Sequence, residues 1–217
     1  MNYEQARFNM IEQQVRTWEV LDQRVLDLMA EIHREDFVPP DYKKLALADV
    51  NIPLLHNQVT MTPKVEARLL QGLNISVDER ILEIGTGCGY LTALLAKLGK
   101  EVCSIDIFPE FTRQAATRLT ENGIDNVKLI TGDAVNGWSD FAPYDVIVVT
   151  GSIPIQNERF EQQLCIGGRL FVIVGESPVM EAMLITRVSE NGWSRENLFE
   201  TDLPALIGAV EPGRFRF

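Results

Sequence analysis

Residues 80–90, Arg-Ile-Leu-Glu-Ile-Gly-Thr-Gly-Cys-Gly-Tyr, join an apolar run to three alternating glycines. Ile81, Leu82 and Ile84 have the character of a parallel strand buried on both faces, with one charge, Glu83, inside it. Gly85, Gly87 and Gly89 permit a sharp turn in which the backbone can approach a ligand. A helix N-terminus with unpaired N–H groups is expected to follow. Strand, glycine turn and helix in that order point to an α/β fold with a small-molecule site at the turn, Thr86 included. Taken alone, such a turn is also compatible with a tight connection that binds nothing.

The spacing E-x-G-x-G-x-G departs from the dinucleotide fingerprint G-x-G-x-x-G at its third glycine. Glu83 would repel a pyrophosphate, whereas it suits a cofactor that carries an ammonium and a sulfonium, as adenosylmethionine does. A second strand, 101–107, carries Asp106 near its end, 21 residues after Gly85. That is close to the ~20 at which an acid takes a ribose hydroxyl pair. A third strand, 126–131, leads into Thr131-Gly132-Asp133-Ala134, where Asp133 could accept from an adenine amino group. Ile107 and Ala134 stand beside these acids as further cofactor contacts. Acids at the carboxyl ends of successive parallel strands converge on one crevice.

Strands and helices alternate from residue 63 onward. Strands are expected at 80–85, 101–107, 126–131, 144–149 and 168–175, and helices at 63–73, 89–99, 109–122 and 156–164. This alternation implies a parallel sheet with helices on both faces. Two further strands, about 181–188 and 196–201, flank Asn191-Gly192 and should form an antiparallel pair at the sheet edge. Upstream, Phe8, Ile11 and Val15 predict a helix over 3–17, and Val25, Leu26, Leu28 and Met29 one over 21–33 that Asp22 can cap. No linker or repeat interrupts the chain. It therefore reads as one domain over 1–217, with a helical cover and acceptor loop in 1–62 and a cofactor-binding α/β core in 63–217.

A net charge of −11 argues against nucleic acid as partner, because phosphate binding needs basic clusters, and against anionic membrane surfaces. The start of the chain has no signal-peptide pattern, and no apolar run approaches the length of a membrane span. Cys88, Cys103 and Cys165 are odd in number and fit no metal-ligand spacing, so buried reduced thiols, a cytoplasmic location and no metal are expected. The sequence leaves the oligomeric state open.

Several longer strings are more specific than the turn. Arg34-Glu35-Asp36-Phe37-Val38-Pro39, Ala142-Pro143-Tyr144-Asp145 and Gln163-Leu164-Cys165-Ile166-Gly167-Gly168-Arg169-Leu170, together with Ile81–Tyr90, give a pattern covering almost the whole chain. It resembles the protein-L-isoaspartate O-methyltransferase family. The resemblance implies a seven-stranded, Rossmann-like, adenosylmethionine-dependent methyltransferase sheet with a helical N-terminal cover. It also implies methyl transfer to the α-carboxyl of L-isoaspartyl residues in damaged proteins. Glu83 and the Gly85–Gly89 turn would then hold the amino-acid end of adenosylmethionine.

The chain departs from the family at one segment. Where the family has G-Q-T-I-S-x-P, with its serine beside the methyl acceptor, this chain has Asn57-Gln58-Val59-Thr60-Met61-Thr62-Pro63. Gln58 and Pro63 match, but Met61 occupies the serine position, and a thioether cannot donate a hydrogen bond. Thr60 or Thr62 is therefore expected to supply the catalytic hydroxyl, with Gln58, Met61 and His56 lining the acceptor site. Two other readings stay open: a small-molecule acid or hydroxyl as acceptor, and a non-catalytic protein that binds adenosylmethionine or a partner.

Overall fold

Seven apolar runs become the seven strands of one sheet: β1 Arg80–Ile84, β2 Glu101–Asp106, β3 Val127–Thr131, β4 Tyr144–Ile153, β5 Leu164–Glu176, β6 Val179–Ser189 and β7 Gly192–Thr201. The structure is a computed structural model and describes residues 2–213. Met1 and residues 214–217, part of the expected 1–217 domain, lie outside the described residues. The strand order is β3-β2-β1-β4-β5-β6-β7. β1 to β5 pair in parallel, and only β6 runs against its neighbours. The expected edge hairpin forms, but Ser189 pairs with Gly192, so it turns through Glu190-Asn191 and β7 starts at Gly192 rather than at 196.

The order reverses at β1. The chain steps from β1 to β2 to β3 in one direction, then crosses back to place β4 on the other side of β1. Right-handed crossovers put α4 (Tyr90–Leu98) and α5 (Pro109–Glu121) on the same face for this reason. That face is also covered by α3 (Pro63–Leu73) and by the N-terminal α1 (Tyr3–Met10) and α2 (Gln23–Glu31). The opposite face carries α6 (Glu158–Gln162) and the 132–141 loop, with Phe160, Trp138 and Phe141 packed on the sheet. Helices thus cover both faces, but unevenly. The reversal opens a crevice at the carboxyl ends of β1 and β4, the place where such sheets bind ligands.

Several boundaries differ from the sequence expectation. The helix over 3–17 is three pieces: α1, a wider i→i+5 turn over Ile11–Val15 in which Arg16 N–H donates to the Ile11 carbonyl, and a 3₁₀ turn, Arg16–Trp18. Met10, Ile11 and Val15 are all buried, and the widened turn brings these unevenly spaced side chains to one face. β4 runs to Ile153 because Ser152 and Ile153 regain pairing with Ile173 and Val174 after a bulge. β5 starts at Leu164 rather than 168, leaving α6 only five residues.

The family-like strings hold the layers together. Arg169 donates to both Glu79 carboxylate oxygens at 2.5 and 2.7 Å and to the Leu73 carbonyl at 2.9 Å, tying β5 to the end of α3. Asp145 accepts from Arg80 N–H at 2.8 Å, and the Tyr144 hydroxyl donates to the Trp138 carbonyl at 2.9 Å. In the cover, Glu35 pairs with Arg7 while Phe37 is fully buried.

Phe171 of β5 is buried between the sheet and the cover, its ring centroid 6.4 Å from that of Phe199 on β7. Phe171→Ala should destabilise the fold by ~3–5 kcal/mol through lost burial and a residual cavity. Urea unfolding would show this as a lower midpoint with an unchanged slope.

Candidate active site

The glycine turn is built by close approach. A Cβ on Gly85 would stand 2.1 Å from Thr150 Oγ1, and φ there is +98°, so only glycine fits. Thr150, in the bulge of β4 between Val148 and Ser152, donates to the Ile84 and Gly85 carbonyls at 2.9 and 2.8 Å, which locks the two switch-point strands together. Gly89 has no room either, since its Cβ would lie 3.0 Å from Ala115 Cβ of α5.

Asp106 closes the floor. Its Oδ2 accepts from Gly87 N–H and its Oδ1 from Phe108 N–H, both at 2.9 Å. Burial pushes its carboxyl above the ordinary Asp range, while these two N–H groups pull the other way. Around it opens a pocket with Gly85 and Gly87 on one side and Ile105, Ile107, Phe108 and Phe111 on another. Asp133 and Ala134 form the third side, with Asp133 Oδ1 accepting from Val135 N–H at 3.0 Å. Asp106, Ile107, Asp133 and Ala134 are therefore brought together as expected. Among the described residues, the wall carries two carboxylates and no Lys, Arg or His.

Two walls escaped the sequence reading. Leu203–Ile207 folds back over the pocket, because Ala205 pairs in parallel with Ser152, whose Oγ donates to the Leu203 carbonyl at 2.7 Å. The apolar cluster just past the last strand was its only local signal. Phe108 and Phe111 flank Pro109 at the start of α5, where an aromatic pair reads as core.

Three of the expected cofactor residues lie elsewhere. Glu83 is fully buried on the helix-covered side of β1, and its Oε2 accepts from Ser104 and Thr92, each at 2.5 Å. Burial drives its pKa up to about 8 against these hydrogen bonds, so the group is not a countercharge facing a ligand. Thr86 turns inward to Ser104 Oγ at 2.7 Å, extending the same buried chain. Gly89 caps α4 rather than lining the pocket. Strand alternation explains the error: Ile84 and Glu83 point to opposite faces.

The acceptor segment is also rearranged. Thr60 is buried, and its hydroxyl oxygen accepts from Arg34 Nη2 and Ile52 N–H, both at 3.0 Å, so it does not face the pocket. Thr62 occupies the N-cap position of α3, but its carbonyl rather than its side chain accepts from Val65 and Glu66 N–H. Its Oγ1 is buried without a partner beside a separate pocket lined by Trp18, Asn51 and Met61. Met61 is core, 5% exposed. Neither threonine is placed as the expected catalytic hydroxyl. Gln58 and Val59 do reach the cofactor pocket, with Leu54 beside them. His56 stands at the rim, its ring stacked on Phe108 at 4.0 Å and its Nε2 3.4 Å from Glu110.

The raised pKa of Glu83 fixes the sign of a pH effect. Its ordinary value is 4.5 and its folded value about 8, so its contribution to stability is complete below 4.5 and lost as pH rises through about 8. Glu83→Gln should flatten the fall in stability across that window, as urea unfolding at several pH values would show, and leave cofactor affinity unchanged. Glu83→Ala should cost ~1–3 kcal/mol by stranding the Ser104 and Thr92 hydroxyls.

The family model "Protein-L-isoaspartate(D-aspartate) O-methyltransferase (PCMT)" matches residues 5–202. Protein-L-isoaspartate O-methyltransferase 2 of Pelobacter propionicus is 35% identical over 96% of this chain and 93% of its own. A Koribacter versatilis protein-L-isoaspartate O-methyltransferase is 37% identical over 93% of this chain and 90% of its own. In solved structures, a Plasmodium falciparum protein described as a β-aspartate methyltransferase, in complex with S-adenosyl-L-homocysteine, shares the fold. It has a TM-score of 0.78 at 18% identity, covering 95% of this chain and 98% of that one. With its seven-stranded sheet, its pocket at the switch point and a match spanning nearly its full length, the chain belongs to the protein-L-isoaspartate O-methyltransferase family.

Proposed function

We propose that this chain is an adenosylmethionine-dependent carboxyl O-methyltransferase acting on the α-carboxyl of L-isoaspartyl residues in proteins. One observation carries the cofactor choice: the switch-point pocket has Asp106 and Asp133 on its wall and no cationic side chain among its described lining residues. A pyrophosphate finds no cationic side chain on this wall, whereas a cofactor carrying an ammonium and a sulfonium suits its uncompensated acidity. The residues fit that group. Asp106 is oriented by two backbone N–H donors and retains lone pairs for a ribose hydroxyl pair, and the Ile105–Phe111 and Asp133–Ala134 walls suit an adenine ring. Family membership favours a protein carboxylate over a small-molecule acceptor or a purely binding role.

When bound, adenosylmethionine supplies a methyl group on a positively charged sulfur. An isoaspartyl carboxylate is ionised at neutral pH, so the chain needs to remove no proton from it. This suits a site whose two threonine hydroxyls are occupied or turned away and whose family serine is Met61. What remains for the protein is alignment and exclusion of water, effects that reach ~7–11 kcal/mol for well-placed partners. Gln58 and Val59 carry the acceptor side of the pocket, and Leu203–Ile207 forms a further wall of it.

Calorimetry should give binding of adenosylmethionine and adenosylhomocysteine and none of NAD; tight NAD binding with no adenosylmethionine heat would sink the cofactor assignment. Asp106→Ala should weaken cofactor binding by ~1.5–3 kcal/mol, the worth of a charge-assisted hydrogen bond. Labelled methyl should pass to an isoaspartyl peptide and not to its aspartyl counterpart. Transfer to neither peptide, with transfer to a metabolite extract, would redirect the acceptor to a small molecule.

A further inference from the structure

Arg34 lies outside the cofactor pocket, yet it touches both elements whose register shapes it. The residue is 1% exposed. Its Nη2 donates to the Met61 carbonyl at 2.6 Å and to Thr60 Oγ1 at 3.0 Å, its Nη1 to the Ala46 carbonyl at 2.7 Å, and its Nε to Glu66 Oε2 at 3.1 Å. On the remaining side its guanidinium carbon stands 5.6 Å from the ring centroid of Tyr90, the first residue of α4 after the glycine turn. We infer that Arg34 is a positioning residue for methyl transfer, holding the acceptor segment at a fixed distance from the cofactor turn. The inference rests on the proposed methyl-transfer reading.

The mechanical link runs through Thr60. Thr60 N–H donates to the Ile52 carbonyl at 2.9 Å, Ile52 N–H returns a bond to Thr60 Oγ1, and Asn51 Nδ2 donates to the Thr60 carbonyl at 2.8 Å. These bonds close the base of a hairpin spanning residues 51–60. Pro53 pairs with Val59 further along it, and Leu54 N–H donates to the Gln58 carbonyl at 2.8 Å. Leu54, Gln58 and Val59 are the hairpin residues that reach the pocket wall. The tip, with φ of 56° at both His56 and Asn57, rests on Phe108 and Glu110 through half-exposed contacts. The half-exposed His56–Glu110 pair contributes little, and beside the ring stack on Phe108 it is the buried base whose hydrogen bonds set where the arms start.

A guanidinium suits that task because its donors lie in one rigid plane, and four acceptors fix both its position and its tilt. A lysine at the same place keeps the charge but offers a single ammonium on a flexible stem, and cannot span the same acceptors. The other pocket walls are set by the sheet and by Leu203–Ile207, so they do not depend on this link. Arg7 and Glu35 form a second buried ion pair in the same cover, with no hydrogen bond to the 51–62 segment, and provide a matched control.

The test compares Arg34→Lys, Thr60→Val, Thr60→Ser and Arg7→Lys by steady-state kinetics on an isoaspartyl peptide, cofactor calorimetry, urea unfolding and amide hydrogen exchange. Arg34→Lys and Thr60→Val should raise the KM for the peptide or lower kcat by roughly tenfold or more, since misplacements near 1 Å have such effects. Their adenosylmethionine affinity should fall by a smaller factor than the peptide kinetics, since the hairpin gives only Leu54, Gln58 and Val59 to a pocket whose other walls stay in place. Exchange at the Leu54, Gln58 and Thr60 amides should quicken while that of the sheet does not. Thr60→Ser should restore both readouts, and Arg7→Lys should lower the unfolding midpoint without changing either. Parent-like kinetics and exchange in Arg34→Lys and Thr60→Val would overturn the inference, as would losses no greater than those of Arg7→Lys at equal folded fraction. If the parent itself leaves isoaspartyl peptide unmethylated, the proposed acceptor falls. Hydrogen exchange then still decides whether Arg34 sets the hairpin.

Discussion

The contact between Gly85 and Thr150 is the constraint on which the site depends. The missing Cβ lets the end of β1 lie against the bulge of β4, and the Thr150 hydroxyl fastens the two by bonding the Ile84 and Gly85 carbonyls. With that distance fixed, Gly87 N–H reaches Asp106, and the carboxylate is held at the mouth of β2 rather than left to rotate in solvent. The close approach of Gly89 to Ala115 then presses the start of α4 onto α5. Each bond is ordinary in strength. Together they fix the shape of the pocket floor.

Around that floor the molecule uses partly and fully buried charge to fix position. Arg169 and Glu79 join the sheet to α3 through a two-pronged pair, and Arg34 joins the cover, the acceptor segment and α4 at one point. Burial pushes Glu66 up to about 7 against the pull of Arg34, whose guanidinium keeps its proton among four acceptors. A fully buried pair such as Arg34 and Glu66 gains little net stability over well-packed apolar residues, and losing one partner costs ~3–5 kcal/mol because the other is stranded. Their value is directional: a charged group with fixed acceptors has one geometry, where an apolar contact tolerates several.

The path from sequence to site worked where a signal was local. The glycine spacing, the apolar runs and the acid at the end of β2 each depend on a few neighbouring residues and appear in the structure where they were read, and the edge hairpin turns one residue before its Asn191-Gly192 signal. The readings of Glu83, Thr86, Thr60 and Thr62 failed for a shared reason. Proximity in sequence placed them beside the pocket, but strand alternation turned Glu83 away, hydrogen bonds took Thr86 and Thr60 inward, and Thr62 faces a separate pocket with its Oγ1 unpartnered. Leu203–Ile207 went unread because its pairing with Ser152 is a long-range event with no periodic pattern to announce it.

The sequence by itself determined the element order, the glycine turn, the acids at the strand ends and, through its longer strings, the family. These are properties of short windows, set by backbone sterics and by the alternation of apolar and polar residues. Tertiary structure alone decided which of those groups face the pocket. It buried Glu83 as a raised-pKa group bonded to two hydroxyls, gave the Thr60 oxygen to Arg34, and brought the segment after β7 across the crevice. The physical reason is that a buried donor or acceptor must find a partner, and the nearest partner in space is often far away in the chain.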